Sequence, residues 1–136
     1  MIVVDASVLA NALADDGEDG DRARERLIAD PSLHAPHLVD LEVLSVLRRW
    51  VSSGTLDPRR AARAIGDLID LRISRYPHVG FVGRAWDLRH NLTPYDAASI
   101  ALAEALGCTL VTADARLSTV SGLRCDVEIL RTGRPG

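Results

Sequence analysis

Short runs of consecutive apolar residues alternate with longer stretches in which apolar positions recur every three or four residues, and this alternation continues along nearly the whole chain. Continuous apolar runs bounded by turn residues mark strands buried on both faces, whereas the longer period marks helices with one side in a core. The pattern predicts strands at about 1–5, 33–36, 72–76, 108–112 and 126–130, and helices at about 7–14, 20–30, 38–52, 57–71, 79–90, 95–106 and 114–119. Strands that alternate with helices build a mostly parallel sheet with crossover helices on both faces. The fold class is therefore α/β, a three-layer α/β/α sandwich around a central five-stranded sheet, for which the expected strand order is 3-2-1-4-5.

Local punctuation supports several boundaries. Asp57-Pro58 places a capping residue before a proline at the first helical position, and Gly54 and Gly107 stand where helices should stop. Gly17 to Gly20, with acids between, reads as a mobile surface connection. No internal repeat, low-complexity tract or linker divides the chain, so residues 1–132 are expected to form a single domain with a frayed tail at 133–136.

Composition narrows the possibilities. The 136 residues are enough for one core; 47% are hydrophobic and 26% charged, as in globular proteins. No apolar run approaches the ~20 residues that cross a bilayer, and Asp5 interrupts the only apolar stretch near the N-terminus, so neither a membrane span nor a signal peptide is expected. Cys108 and Cys125 are too few for a disulfide framework and have no zinc spacing; they read as buried thiols of a cytoplasmic protein. A net charge of −3 excludes a surface that traps nucleic acid as a whole but leaves room for a local basic groove. All sixteen basic residues are arginine, which removes every mechanism that needs a lysine.

Candidate chemistry lies in four acids. Asp5 closes the run Met1-Ile2-Val3-Val4, and Asp114 follows Leu110-Val111-Thr112-Ala113; both stand at the carboxyl ends of expected parallel strands, the edge where open α/β sheets carry their sites. Each could serve as a plain helix cap. Glu42 sits between Leu38 and Val46, its neighbours one helical turn away on either side, and a carboxylate on such a column needs a cation, hydrogen bonds or a place at the column's edge. Asp96 occupies the third helical position after Thr93-Pro94, a cap followed by a first-turn proline. The helix it begins is small and apolar on nearly every side, as expected of one packed deep in the core. In the expected strand order all four acids converge. Four unneutralised carboxylates would repel one another, and a divalent cation resolves the conflict; all-oxygen ligands suit Mg2+ or Mn2+.

With Ile2-Val3-Val4-Asp5-Ala6-Ser7, Pro36 ahead of Glu42 in a long helix, Leu92-Thr93-Pro94-Tyr95-Asp96-Ala97-Ala98 and Leu110-Val111-Thr112-Ala113-Asp114 in this order, the chain resembles PIN-domain ribonucleases over essentially its whole length, most closely the VapC-type toxins of bacterial toxin–antitoxin pairs. The resemblance implies that Asp5, Glu42, Asp96 and Asp114 are the acidic catalytic and metal positions and that Ser7 and Thr112 support them. It implies a metal-dependent hydrolysis of RNA phosphodiester bonds that inhibits translation and growth. It further implies a VapB-type antitoxin whose C-terminal segment blocks the acids, a homodimer, and contact with DNA only through the antitoxin. Arg116-Leu117 departs from the aromatic residue often found after the last acid. Substrate phosphates would fall to arginines, with Arg48, Arg49, Arg89 and Arg116 as candidates and Arg59, Arg60 and Arg63 as solvated helix faces. Aromatic residues are too scarce for an extended stacking platform, which favours structured RNA. Leu47, Trp50, Leu56, Ile65, Leu68 and Ile69 offer apolar surface for a partner or equally belong to the core.

Rival classes fit less well. A magnesium-dependent phosphatase or receiver domain also gathers acids at strand ends, but those classes pair the phosphoryl group with lysine, and the phosphatase pattern wants an aspartate where Ser7 stands. A noncatalytic PIN-fold binding module is the other alternative. His34, His37, His78 and His90 have no zinc-site spacing, and neither a serine-hydrolase elbow nor a phosphate-binding Walker loop is present.

Overall fold

The five apolar runs form one sheet, with β1 at Ile2–Val4, β2 at Leu33–Pro36, β3 at Ser74–Tyr76, β4 at Thr109–Thr112 and β5 at Val127–Ile129. In this computed structural model, which describes residues 1–130, the order is β3-β2-β1-β4-β5 and every pairing is parallel. The expected frayed tail at 133–136 lies outside the described residues.

Alternation along the central strands explains why both faces need a cover. Ile2, Val4 and Val111 face one core with Val8, Leu9, Val39 and Val43, whereas Val3 and Leu110 face another with Ile100, Leu102 and Leu117. The first core is closed by α1 (Ala6–Ala14), α2 (Glu18–Ile28), α3 (Val39–Ser52) and α4 (Pro58–Asp70); the second is closed mainly by α5 (Val82–Asp87) and α6 (Pro94–Leu106). α6 is buried at every position from Ala97 to Ala103, as its small apolar sequence requires.

Capping follows the sequence signals. Asp57 accepts a hydrogen bond from the Arg59 amide ahead of α4, and Thr93 accepts one from the Asp96 amide ahead of α6. α6 ends on Gly107 in the left-handed region (φ 65°), where a side chain would be strained.

Three expectations need correction. Gly17 to Gly20 is not a mobile connection: α2 begins at Glu18, and Gly20 is pressed so closely on the Asp15 carbonyl that a Cβ would lie 1.7 Å from its oxygen. The helix expected over 79–90 is broken into a 3-10 turn at Val79–Phe81 and the short α5, since Gly80 and Gly83 weaken it. Residues Ala115–Thr119 form only a 3-10 turn, in which the Ser118 and Thr119 hydroxyls donate to the Ala115 and Arg116 carbonyls. Asp40 accepts a two-point hydrogen bond from Arg75 and so ties α3 to β3. Of the apolar residues offered to a partner, Leu47, Leu56 and Leu68 are buried and Trp50 and Ile65 pack against them, while Ile69 is exposed. Cys108 and Cys125 are free and partly buried. Among the described residues, no helix is long and apolar enough to cross a membrane.

Candidate active site

The site grows from the pairing of β1 with β4. These strands run parallel, so their carboxyl ends meet, and the Asp5 amide donates to the Val111 carbonyl at 2.9 Å. Asp5 then turns the chain into α1 with an extended backbone, yet its side chain caps nothing. Its Oδ2 instead accepts hydrogen bonds from Ser7 Oγ at 2.7 Å and Thr112 Oγ1 at 2.8 Å. Both hydroxyls are directed by the backbone: Ser7 Oγ accepts from the Ala113 amide and Thr112 Oγ1 from the Asp114 amide, each at 3.1 Å. A hydroxyl that accepts from an amide keeps one proton to give, and both give it to the same carboxylate oxygen. Asp5 is 9% exposed and Thr112 not at all, so Oδ2 is fixed and Oδ1 is the oxygen that these two hydroxyls leave uncommitted.

Glu42 and Asp96 reach the same edge from helix starts. The buried stripe of α3 is Val39, Val43 and Leu47. Glu42 lies one position to its side, at the margin of the apolar column rather than breaking its buried part. Burial, then the charges of Asp5 and Asp96, push its carboxyl up to about 7. Asp96 is raised by burial and by Asp5 and Asp114, against a lowering by Thr93 and Arg116. The charge of Asp5 thus disfavours ionisation of two acids distant from it in the chain.

Asp114 behaves differently. It caps the turn that follows it by accepting from the Arg116 amide at 3.0 Å, as its sequence position allowed, and it also pairs with the Arg116 guanidinium at 2.6 Å. That hydrogen-bonded pairing holds its carboxyl below the ordinary range despite partial burial. Arg116, 85% exposed at its side chain, is thus engaged by the site itself rather than free for substrate.

The remaining arginines divide. Arg48 and Arg49 are exposed at the end of α3. Arg89 lies over the Trp86 ring at 4.5 Å from its centroid and donates to the Trp86 carbonyl. Arg60, expected on a solvated face, pairs with Asp16. Of the histidines, His34 is buried between Tyr76 and Ser32, to which its two ring nitrogens bond.

Converging carboxylates, two of them raised by burial and by acidic neighbours, suit a hard divalent cation, and Asp5, Glu42 and Asp96 are the donors that would hold it, with Asp114 joining when Arg116 releases it. As they stand, no three His, Cys, Asp or Glu side chains among the described residues are arranged to hold a metal ion. Arg116 is easily moved, because its guanidinium is exposed and solvent weakens such an ion pair.

Sequence reasoning missed a neighbouring feature. A cavity of about 390 Å³, lined among others by Leu38, Phe81, Trp86, Arg89, Pro94 and Tyr95, opens beside the starts of α3 and α6. The signal was present: of the two Trp, two Tyr and one Phe in the chain, three fall between positions 81 and 95.

Comparison with known proteins places this arrangement. The PIN domain family model matches residues 2–123. Ribonuclease VapC9 of Mycobacterium tuberculosis is 47% identical over 130 residues, covering 96% of this chain and 98% of that protein. The crystal structure of VapC20 from the same species, a toxin that cleaves the sarcin–ricin loop, superposes with a TM-score of 0.70 at 19% identity, covering 91% of this chain and 98% of that one. The DNA-bound VapBC of Salmonella typhimurium superposes at 0.64 with 15% identity, covering 93% and 96%. The strand order, the four acids at one sheet edge and a 47% identical relative lead to one conclusion: this chain belongs to the PIN-domain family and, within it, to the VapC ribonucleases.

Proposed function

We propose that this protein is the toxin of a toxin–antitoxin pair, a cytoplasmic ribonuclease that uses Mg2+ or Mn2+ held by Asp5, Glu42, Asp96 and Asp114 to hydrolyse RNA phosphodiester bonds and so inhibit translation and growth. The observation that carries the reading is the convergence of Asp5, Glu42 and Asp96, far apart in sequence and brought together by the sheet and two helix starts, where burial and the charge of Asp5 raise the carboxyls of both Glu42 and Asp96. Proteins place ionisable groups at such a disadvantage where chemistry needs them.

A bound divalent cation would supply Lewis acidity, making a water nucleophilic near neutral pH and neutralising charge on the leaving oxygen. The chain's own residues do the positioning. Ser7 and Thr112 hold Asp5 Oδ2 and leave Oδ1 uncommitted. Glu42, whose carboxyl is pushed up to about 7 by burial and by its acidic neighbours, would give up its proton on taking the cation, which relieves that repulsion. Arg116 can exchange its Asp114 partner for a substrate phosphate, and Arg48, Arg49 and Arg89 are the further cations available to the RNA backbone.

A VapB-type antitoxin is the expected partner and the expected route to DNA; the VapBC of Salmonella typhimurium is DNA-bound. A basic antitoxin side chain among the acids would relieve the same repulsion that a cation relieves. Leu44 and Ile69, exposed between α3 and α4, offer apolar surface for the rest of such a segment or for a second copy.

The test is to incubate antitoxin-free protein, and its Asp5→Asn, Asp96→Asn double variant, with total cellular RNA in Mg2+ or Mn2+ and then in chelator, and to map the ends formed. Discrete cleavage that requires both the metal and the two acids is expected. A folded wild type that cleaves nothing under either metal would turn the reading towards a noncatalytic binding module.

A further inference from the structure

We propose that Arg116 couples RNA binding to metal binding: its guanidinium occupies Asp114 in competition with a divalent cation, and an RNA phosphate that draws Arg116 away opens Asp114 to the metal. The inference rests on the ribonuclease reading and adds to it how substrate and ion depend on each other. Three observations meet at this residue. The guanidinium covers both oxygens of Asp114, with Nε 3.0 Å from Oδ1 and Nη2 2.6 Å from Oδ2, and every side-chain hydrogen bond described for Arg116 goes to this one acid. Its charge also acts on Asp96, where it opposes the rise caused by burial and by the neighbouring acids. The side chain is 85% exposed and stands on a 3-10 turn, so it can leave Asp114 without disturbing the core.

The contrast with Asp5 shows what is particular to this pairing. Asp5 is held by two neutral hydroxyls, which fix the carboxylate without cancelling its charge. Asp114 is held by a charge of the same sign as a metal ion's, so guanidinium and ion compete for one carboxylate and repel each other beside it. A phosphate accepts the same two-point fork from arginine as a carboxylate does. RNA that takes the guanidinium therefore removes the competitor. By linkage the reverse holds to the same degree, since Asp114 engaged by a cation releases Arg116 to RNA. The exposure of the pair sets the scale of this coupling at about fivefold.

The test reads metal affinity rather than cleavage. Mn2+ is titrated into wild type, Arg116→Gln and Arg116→Lys, with electron paramagnetic resonance counting the free ion. Each titration is repeated with a ten-nucleotide RNA analogue of 2′-O-methyl riboses and phosphorothioate linkages, which keeps the backbone charge and resists cleavage; ion taken by the analogue alone is subtracted. The side chain is exposed, so the variants should fold, which circular dichroism checks. Without the analogue, Arg116→Gln should bind Mn2+ about fivefold more tightly than wild type, and Arg116→Lys, which keeps the charge but not the fork, should fall between them. Saturating analogue should tighten Mn2+ binding by wild type by about the same factor and leave Arg116→Gln unchanged. Mn2+ binding by Arg116→Gln that is equal to or weaker than that of wild type, or equal tightening of both by the analogue, overturns the coupling. If either accompanies metal-dependent cleavage of cellular RNA by wild type, the ribonuclease reading stands without it. Coupling with no cleavage of any cellular RNA keeps the role of Arg116 and removes the ribonuclease, and a folded wild type that binds no Mn2+ with or without the analogue removes both.

Discussion

The carboxylate of Asp5 owes its orientation to two hydroxyls whose own acceptor positions are filled by backbone amides. Thr112 is the more revealing of the two because it is wholly buried. Thr112→Val keeps the volume but removes the donor to Asp5 and strands the Asp114 amide. It should cost about 1–2 kcal/mol in denaturant unfolding and about 10–100-fold in RNA cleavage, whereas Thr112→Ser should retain most of the activity. Equal rates for the valine and serine variants would show that the hydroxyl has no part in placing the acid. At this scale the sequence was legible where a residue's role depends on its position along one element: Asp5 and Asp114 at strand ends, Asp96 in a first turn. It was silent where the role depends on what lies opposite. Asp5 reads as a cap from its neighbours, and only β4 beside it reveals that its side chain points elsewhere. Likewise Arg116 reads as a free cation until the extended backbone at Asp114 turns the two side chains together.

Elements were legible in proportion to how far burial overrides local detail. The strands and the long helices followed from apolar pattern because each must cover a face of the sheet. The short segments at 79–90 and 115–119 did not, since glycine content and hydroxyl back-bonding act over single turns. α2 shows the limit most clearly: its N-cap and first turn together contain two glycines and three acids, a composition that suggests a loop, yet the acids suit a helix N-terminus and Gly20 fits against α1 where a side chain would clash. Gly20→Ala improves helix propensity and would be stabilising on an isolated helix. Here it must push the Asp15 carbonyl aside, and the expected result is a loss of about 1–3 kcal/mol in unfolding free energy. A gain in stability on chemical denaturation would mean that the contact between α1 and α2 is loose.

For the whole molecule, the acidic edge is a charge problem that the fold carries whenever no cation is present. The raised Glu42 carboxyl favours the folded state fully below its unfolded value of 4.5, and that contribution is lost as pH rises through about 7. Asp96 acts in the same direction from 3.8 upward, while Asp114, held low by Arg116, acts oppositely, losing its contribution only on acidification. Between pH 5 and 8, chelator-treated protein should therefore lose stability by roughly 1 kcal/mol once solvent screening at Glu42 is allowed for, or ~3–6 °C in Tm. Glu42→Gln should flatten that slope, and Mn2+ should raise the Tm of wild type at pH 8 but not that of an Asp5→Asn, Asp96→Asn variant. A wild-type Tm unmoved by pH across this range would contradict the proximity of these acids. The bond between Thr112 and Asp5 also spans 107 positions, joining the start of the chain to its last third. A polypeptide still under synthesis owns its first acid long before the strand that orients it. No completed centre can form on the growing chain until β4 has emerged and taken its place beside β1, so the nuclease is assembled only when its synthesis is nearly finished.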